Sequence, residues 1–179
     1  FTSEREFLTD ASKIKASLAR RGLGCATAQL MALVAELRDG HSYVAPINMP
    51  TERKWFPIRF YWFEDDLYVT AVDPQYSELA GRRVLKIGQL DSATAMKMVV
   101  AMQAANNPLA AREGTVWLSQ AAIAQAIGEA DHDRMNVTVA GADGTPMTVA
   151  IASFEADIID GWYQQGEMFG PRARMDVQP

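Results

Sequence analysis

Asp39-Gly40-His41-Ser42 places a carboxylate, an imidazole and a hydroxyl within four residues, the side-chain types of a nucleophilic relay. A relay needs the imidazole to meet the hydroxyl and the carboxylate through opposite ring nitrogens, and neighbours on a tight turn rarely reach that alignment. The spacing predicts instead that Gly40 ends a helix, that Asp39 and Ser42 bond to nearby backbone, and that His41 braces the turn. Cys25 offers a thiol that His41 would have to activate, but between Gly24 and Ala26 it reads as a small buried hydrophobe. The other histidine, in Asp131-His132-Asp133, has no second histidine nearby to complete a metal site and reads as a solvated loop before a strand. Ser119 has no lysine three or four residues on. A nucleophile elbow, a phosphate loop and a dinucleotide fingerprint are likewise missing. The chain is expected to hold no complete catalytic constellation, no metal site and no cofactor.

A binding feature is left. Trp55, Phe56, Pro57, Ile58 and Arg59 open an aromatic strand, preceded by the loop from Pro46 to Lys54 and backed by a helix that begins at Ser92. A sheet edge beside a helix can take an extended peptide as an extra strand, with main-chain bonds for affinity and pockets for selectivity. Alternate positions on a strand must face inward, so most of the side chains from Phe56 to Trp62 are expected to fill the core.

The elements that would position these residues follow from the hydrophobic period. Thr2-Ser3 with Glu6 has the form of a capping box, and Phe7, Ala11, Ile14 and Leu18 recur at helical spacing. Gly22 and Gly24 break that helix. Leu30, Val34 and Leu37 give a second helix ending before Gly40, so the first forty residues predict a helical hairpin. From Trp55 to Phe63 the period changes to two, Glu64-Asp65-Asp66 breaks it, and Leu67 to Val72 reads as the returning strand of an antiparallel hairpin. A third strand, Arg83 to Ile87, follows Gly81. Ser92 is expected to cap a helix running to Ala105 and stopped by Asn106-Asn107-Pro108; Trp117 to Gln125 suggests another, closing at Gly128. Asn136 to Ala140 and Met147 to Ile151 then form a second hairpin around Asp143-Gly144. Beyond Phe154 the period fades and glycines accumulate, as in a connector.

Composition narrows the function classes. Apolar residues make up 49% and charged residues 22% of the 179, the balance of an ordinary globular protein. The net charge of −5 is scattered, and no basic cluster exceeds Arg20-Arg21 or Arg82-Arg83, which argues against phosphate neutralisation and hence against a nucleic-acid partner. No apolar stretch approaches the roughly 20 residues of a membrane span. Cys25 stands alone, so cysteine usage does not assign a compartment. The start at Phe1 rather than Met suggests removal of something upstream.

Three words in order carry a family resemblance. Leu37-Arg38-Asp39-Gly40-His41-Ser42, at the end of the run from Leu33, resembles the L-x-D-G-H-S/T segment closing the N-terminal helical part of C-terminal processing (tail-specific) peptidases and their interphotoreceptor-retinoid-binding-protein-like relatives. Phe56-Pro57-Ile58-Arg59-Phe60 with Leu67 to Val72 looks like the first hairpin of their PDZ-like domain. Leu79-Ala80-Gly81-Arg82-Arg83-Val84-Leu85-Lys86-Ile87-Gly88 looks like the A-G-x-x-V-L-x-I-x-G segment after it. The resemblance covers roughly residues 7–151, with only helical character matching between Asn107 and Arg134.

The resemblance implies an α+β chain: a helical segment over 1–45, a PDZ-like small antiparallel barrel or sheet with flanking helices over 46–152, a helical insertion near 109–128, and a connector over 153–179. It implies a peptide or unfolded-protein substrate, a serine–lysine catalytic domain supplied by the parent chain, and a periplasmic or secreted location. No catalytic residue carries over to this sequence. Two departures stand out. Gly81-Arg82-Arg83 replaces the usual Gly-Asp, and Lys54-Trp55-Phe56-Pro57 replaces a glycine-rich carboxylate cradle, where Pro57 removes an amide donor. The leading expectation is thus the non-catalytic front of a serine peptidase, and the rival is a stand-alone module that binds peptides without cutting them.

Overall fold

A computed structural model describes residues 2–46, 54–128, 130–131 and 133–155. The chain begins with α1 (Glu4–Ala35), whose start is fixed as the sequence predicts: the Ser3 hydroxyl accepts the Glu6 amide while the Glu6 carboxylate accepts the Ser3 amide. Helical backbone is interrupted at Gly22, which sits at φ 76°, ψ 170°, a conformation that only glycine adopts without strain. The chain reverses there. Ser17 Oγ lies 3.4 Å from Gln29 Oε1, although twelve residues of straight helix would span about 18 Å, and Thr2, Glu6 and Asp10 line a cleft with Ala35, Glu36 and Arg38. The predicted hairpin is therefore present, with its turn at Gly22 alone. Gly24 stays helical and matters for packing instead. A Cβ there would stand 3.0 Å from the Ala122 Cβ, so its bareness lets the second limb approach α4 (Ala121–Ala126) closely.

The second limb stops earlier than expected. Its last turn closes on Leu37 and Arg38 amides bonded to Val34 and Ala35 carbonyls, and Arg38, at φ 53°, takes the left-handed position that the sequence assigns to Gly40.

Strands follow in three groups. β1 (Lys54–Trp55) is separated from β2 (Ile58–Phe63) by Pro57, so the aromatic run is two strands rather than one. β2 pairs antiparallel with β3 (Asp66–Val72), Ile58 opposite Val72 and Phe63 opposite Asp66, with a bulge between Arg59 and Phe60 and Glu64 at φ 50° in the turn. A 3-10 turn (Pro74–Leu79) leads to β4 (Val84–Ile87) and the short β5 (Leu90–Asp91). α2 (Ser92–Val100) is capped by Asp91, not by Ser92: the Asp91 carboxylate accepts the Thr94 amide at 2.9 Å. Asp reaches the third amide more readily from the position before the helix than Ser does from within it.

After α3 (Pro108–Ala111), the expected single helix across Trp117 and Gln125 is divided. Arg112–Ser119 is a 3-10 segment, Gln120 is extended, and α4 resumes beyond it. β6 (Arg134–Ala140) and β7 (Pro146–Ala152) form the second predicted hairpin, with Gly144 at φ 82° in its turn, and β8 (Phe154–Glu155) returns to pair with β1.

The architecture is α+β, with a four-stranded sheet in the order β5-β4-β6-β7 and two two-stranded sheets, β2-β3 and β1-β8. Among the described residues no closed barrel forms; β3 meets the chain entering β4 through the Tyr68–Arg83 bridge and through Val69, whose amide donates to the Arg82 carbonyl and whose carbonyl accepts the Gly81 amide. One core runs through all three layers, joining Met135, Val137 and Ile151 of the large sheet to Val99 of α2, Ile58 of β2 and Ile123 of α4. No helix of the described residues is long and apolar enough to cross a membrane.

Candidate functional site

The Asp39–Ser42 turn does not assemble a relay. Ser42 Oγ donates directly to Asp39 Oδ2 at 2.6 Å, the His41 amide donates to Asp39 Oδ1 at 3.1 Å, and the Ser42 amide bonds the Asp39 carbonyl at 3.0 Å. His41 Nδ1 stands 3.4 Å from the same carboxylate with its side chain 95% exposed. The hydroxyl is thus committed to the carboxylate, where a nucleophile would need it on the imidazole. These bonds, the Ser42 hydroxyl first and the His41 amide second, hold the Asp39 carboxyl below its ordinary range by favouring the charged form. The turn is stapled by its own aspartate; the Ser42 hydroxyl meets that carboxylate and not the expected backbone, and the exposed His41 side chain does not brace the turn. Gly40 at its tip approaches Asn106 no closer than ordinary contact.

Cys25 is half-buried against α4, its Sγ 3.9 Å from the Ala126 carbonyl, while the His41 ring projects into solvent beside Asp39, so no thiol–imidazole pair exists. The Asp131 carboxylate accepts the backbone amides of Asp133 and Arg134, and Asp133 pairs with Lys54. These two aspartates are spent on shaping the turn before β6 and on tying it to β1; His132 lies outside the described residues, as do residues 47–53 of the loop before the aromatic strands.

The predicted peptide-binding residues sit in a different situation from the one the sequence suggested. Trp55, Phe56, Pro57 and Ile58 are buried, Ile58 completely, and Arg59 is half-buried. The inner side of this stretch is occupied: Ile58 and Arg59 lie opposite Val72 and Ala71, and the Pro57 carbonyl accepts the Asp73 amide at 2.9 Å. Its outer edge is occupied too, by the chain itself. The Phe56 amide donates to the Ser119 carbonyl at 2.8 Å, Trp55 bridges antiparallel to Gln120, Ser119 Oγ donates to the Ile58 carbonyl at 2.5 Å, and Thr115 Oγ1 shares its proton between the Arg112 carbonyl at 3.0 Å and the Phe60 carbonyl at 3.3 Å.

The 3-10 segment that makes these contacts stands between β2 and α2 and packs on both. On the α2 side, Gly114 lies so close that a Cβ would meet the Val99 carbonyl oxygen at 2.7 Å, and Trp117 Nε1 donates to Gln103 Oε1 at 3.0 Å. At its outer end the Arg112 guanidinium lies 4.8 Å over the Trp62 ring. Leu118 is fully buried and Trp117 nearly so. Burial of a side chain of Leu size contributes about 1.5–3 kcal/mol, against about 0.5–1.5 kcal/mol for each hydroxyl bond. The apolar anchors therefore hold the segment down, and the Ser119 hydroxyl satisfies the Ile58 carbonyl that this burial would otherwise leave without a partner, while the Thr115 hydroxyl is shared between the Arg112 and Phe60 carbonyls.

Sequence reasoning passed over Gly114, Thr115 and Gln120, and weighed Ser119 only as a nucleophile. One signal was available: hydroxyls at 115 and 119, one helical turn apart, border the apolar pair Trp117-Leu118. Nothing in the spacing says which strand those hydroxyls would meet.

No family model matches the sequence, and no curated protein matches it. Solved structures do. Mature CPAF, a chlamydial serine protease, superposes with a TM-score of 0.55 at 10% identity, over 83% of this chain and 29% of that one. CPAF in complex with lactacystin gives 0.54 at 13%, with the same coverage, and a serine-to-alanine mutant of CPAF gives 0.54 at 14%, over 83% and 28%. At these identities the likeness is one of fold, a protease-related fold, and the chain spans less than a third of the length of the proteases it resembles.

Proposed function

We propose that this chain is the non-catalytic front portion of a tail-specific-type serine peptidase, acting outside the cytoplasm. In this reading residues 1–45 are its helical segment, 46–152 a PDZ-like domain with a helical insertion near 109–128, and 153–179 a connector towards a serine–lysine catalytic domain. The portion positions or gates a peptide substrate and makes no covalent step of its own. The observation that supports it is the likeness of fold between 83% of this chain and a part of a serine protease. The order of the three sequence words, from Asp39-Gly40-His41-Ser42 through Phe56–Phe60 to Leu79–Gly88, points the same way. The geometry adds a chemical reason: every candidate nucleophile described above is already committed to a structural bond or a packing contact.

The test sets the mass and coding length of the natural product beside a peptidase assay of that product and of this 179-residue chain. A longer product that cleaves peptides, with the short chain inert, agrees with the reading. A natural chain of this length, with neither form cleaving, replaces it with a stand-alone peptide-binding module.

A further inference from the structure

We infer that the groove between β2 and α2 is permanently filled by the chain's own residues 112–120, so that the module does not capture peptide by adding a strand to β2. The functional side of this inference rests on the peptidase reading; the closure itself does not.

A peptide entering such a groove would offer one extended stretch whose backbone bonds the strand edge and whose side chains fill the space below the helix. Residues 112–120 supply each part from within. Gln120 is the extended residue, bridged to Trp55, and the Ser119 carbonyl at the end of the 3-10 segment accepts the Phe56 amide. The Ser119 hydroxyl takes the Ile58 carbonyl, and the Thr115 hydroxyl, bonded also to the Arg112 carbonyl, reaches that of Phe60. Trp117 and Leu118 fill the space, and Gly114 lets the segment lie directly against the last turn of α2.

Three features make this an occupant that stays. Gln120, fully buried, accepts the Ile123 amide at 2.7 Å through its own side chain, so the segment is continuous with the cap of α4. Asn107 caps α3 at the other end through the Ala110 amide at 2.8 Å. Leu118 belongs to the same core as Val99 and Ile123, so lifting the segment would open the centre of the molecule rather than a surface flap. A segment that leaves only when the core opens exchanges its amides only on global unfolding. In the proposed peptidase, such a module presents a fixed wall beside the substrate path and gates it; it does not hold a substrate tail at Trp55–Arg59.

Native-state hydrogen exchange on this chain reads the closure directly, because the Phe56 amide is bonded to the segment and the Val137 amide lies in the central strand β6. Phe56 is expected to exchange within about tenfold of Val137 and with the same denaturant dependence. A labelled peptide of the chain's own sequence from Gly114 to Ala121, and a second extended apolar peptide with a free carboxylate, are both expected to show no binding up to about 1 mM. The same absence is expected for the double variant Thr115→Val, Ser119→Ala, which keeps the apolar anchors. Exchange at Phe56 about a hundredfold faster than at Val137, without denaturant dependence, would show local opening and overturn the inference. So would either peptide binding with added protection at Phe56. Failure of the longer natural product to cleave peptides would instead remove the peptidase reading and leave the closure standing.

Discussion

β2 and β7 both end a run of paired strands, and the chain treats their outer edges in opposite ways. On β2 the edge is buried, and its carbonyls at Ile58 and Phe60 are met by the Ser119 and Thr115 hydroxyls. On β7 the edge is solvated. The Asn136 carbonyl accepts the Gly88 amide and the Ala140 amide donates to Arg83, so even-numbered residues of β6 turn their backbone groups towards β4. Odd-numbered ones must turn theirs towards β7, pairing Val137 with Val149 and Met135 with Ile151, which leaves Thr148 and Ala150 directed outward. Among the described residues only β6 pairs with β7, and the edge is blunted by little: Pro146 brings no amide, and the Ala152 amide donates to the Tyr76 hydroxyl at 3.0 Å. Water can satisfy an exposed backbone group but not a buried one. The lesson is that an edge covered by apolar side chains must bring its own hydroxyls, whereas an edge left in solvent needs none.

The largest effect should come from the anchor of the covered edge. Leu118→Ala is expected to cost about 2–5 kcal/mol in urea unfolding, because a fully buried side chain is lost from a segment held between strand β2 and helix α2; a cost below about 1 kcal/mol would mean that the segment is not held by its core contact. Removing the hydroxyl instead, Ser119→Ala should cost about 1–3 kcal/mol, since the Ile58 carbonyl stays buried without its donor.

A proline scan of β7 sharpens the other half of the comparison. Val149→Pro removes a ladder bond and strands the Val137 carbonyl, for about 1–3 kcal/mol, whereas Ala150→Pro deletes an amide that faces solvent and should be clearly milder. Equal losses would contradict the assigned register. Thr148→Lys, exposed on the open edge, should change stability by no more than about 0.5 kcal/mol while opposing edge-to-edge association in sedimentation at high concentration.

The smallest effect belongs to the exposed turn. The folded-state pKa of Asp39 lies below its ordinary 3.8, so its contribution is present above pH 3.8 and is lost as pH falls through the depressed value. Ser42→Ala should remove the larger cause of that depression, narrowing the difference in stability between the parent and Asp39→Asn above pH 3.8 and leaving their acid limbs alike. An unchanged Asp39 titration by NMR in the Ser42 variant would assign the depression elsewhere.

Local signals were legible wherever a short stretch of chain decides the outcome. Ser3 and Glu6 announce the first cap, Gly22 the reversal, Asp143-Gly144 the second hairpin, and Asp39 with Ser42 a turn without chemistry; each depends on bonds among neighbours or on the φ that glycine permits. Boundaries set by competition were misjudged: Asp91 outcompetes Ser92 for the Thr94 amide, and Arg38 takes the left-handed position expected of Gly40.

What the sequence could not determine is which surfaces would find each other. The aromatic stretch from Trp55 is strand-like by its own period, yet whether its edge stands open to a peptide depends on a distant segment coming to rest against it, Ser119 lying 61 positions from Ile58. Periodicity shows that a side chain is apolar and which way it alternates, but not what packs above it. The pairing of β2 with residues 112–120 is a long-range choice made by the shape of one shared core, through Gly114 beneath α2 and Leu118 at the centre, and it decided that this edge is closed.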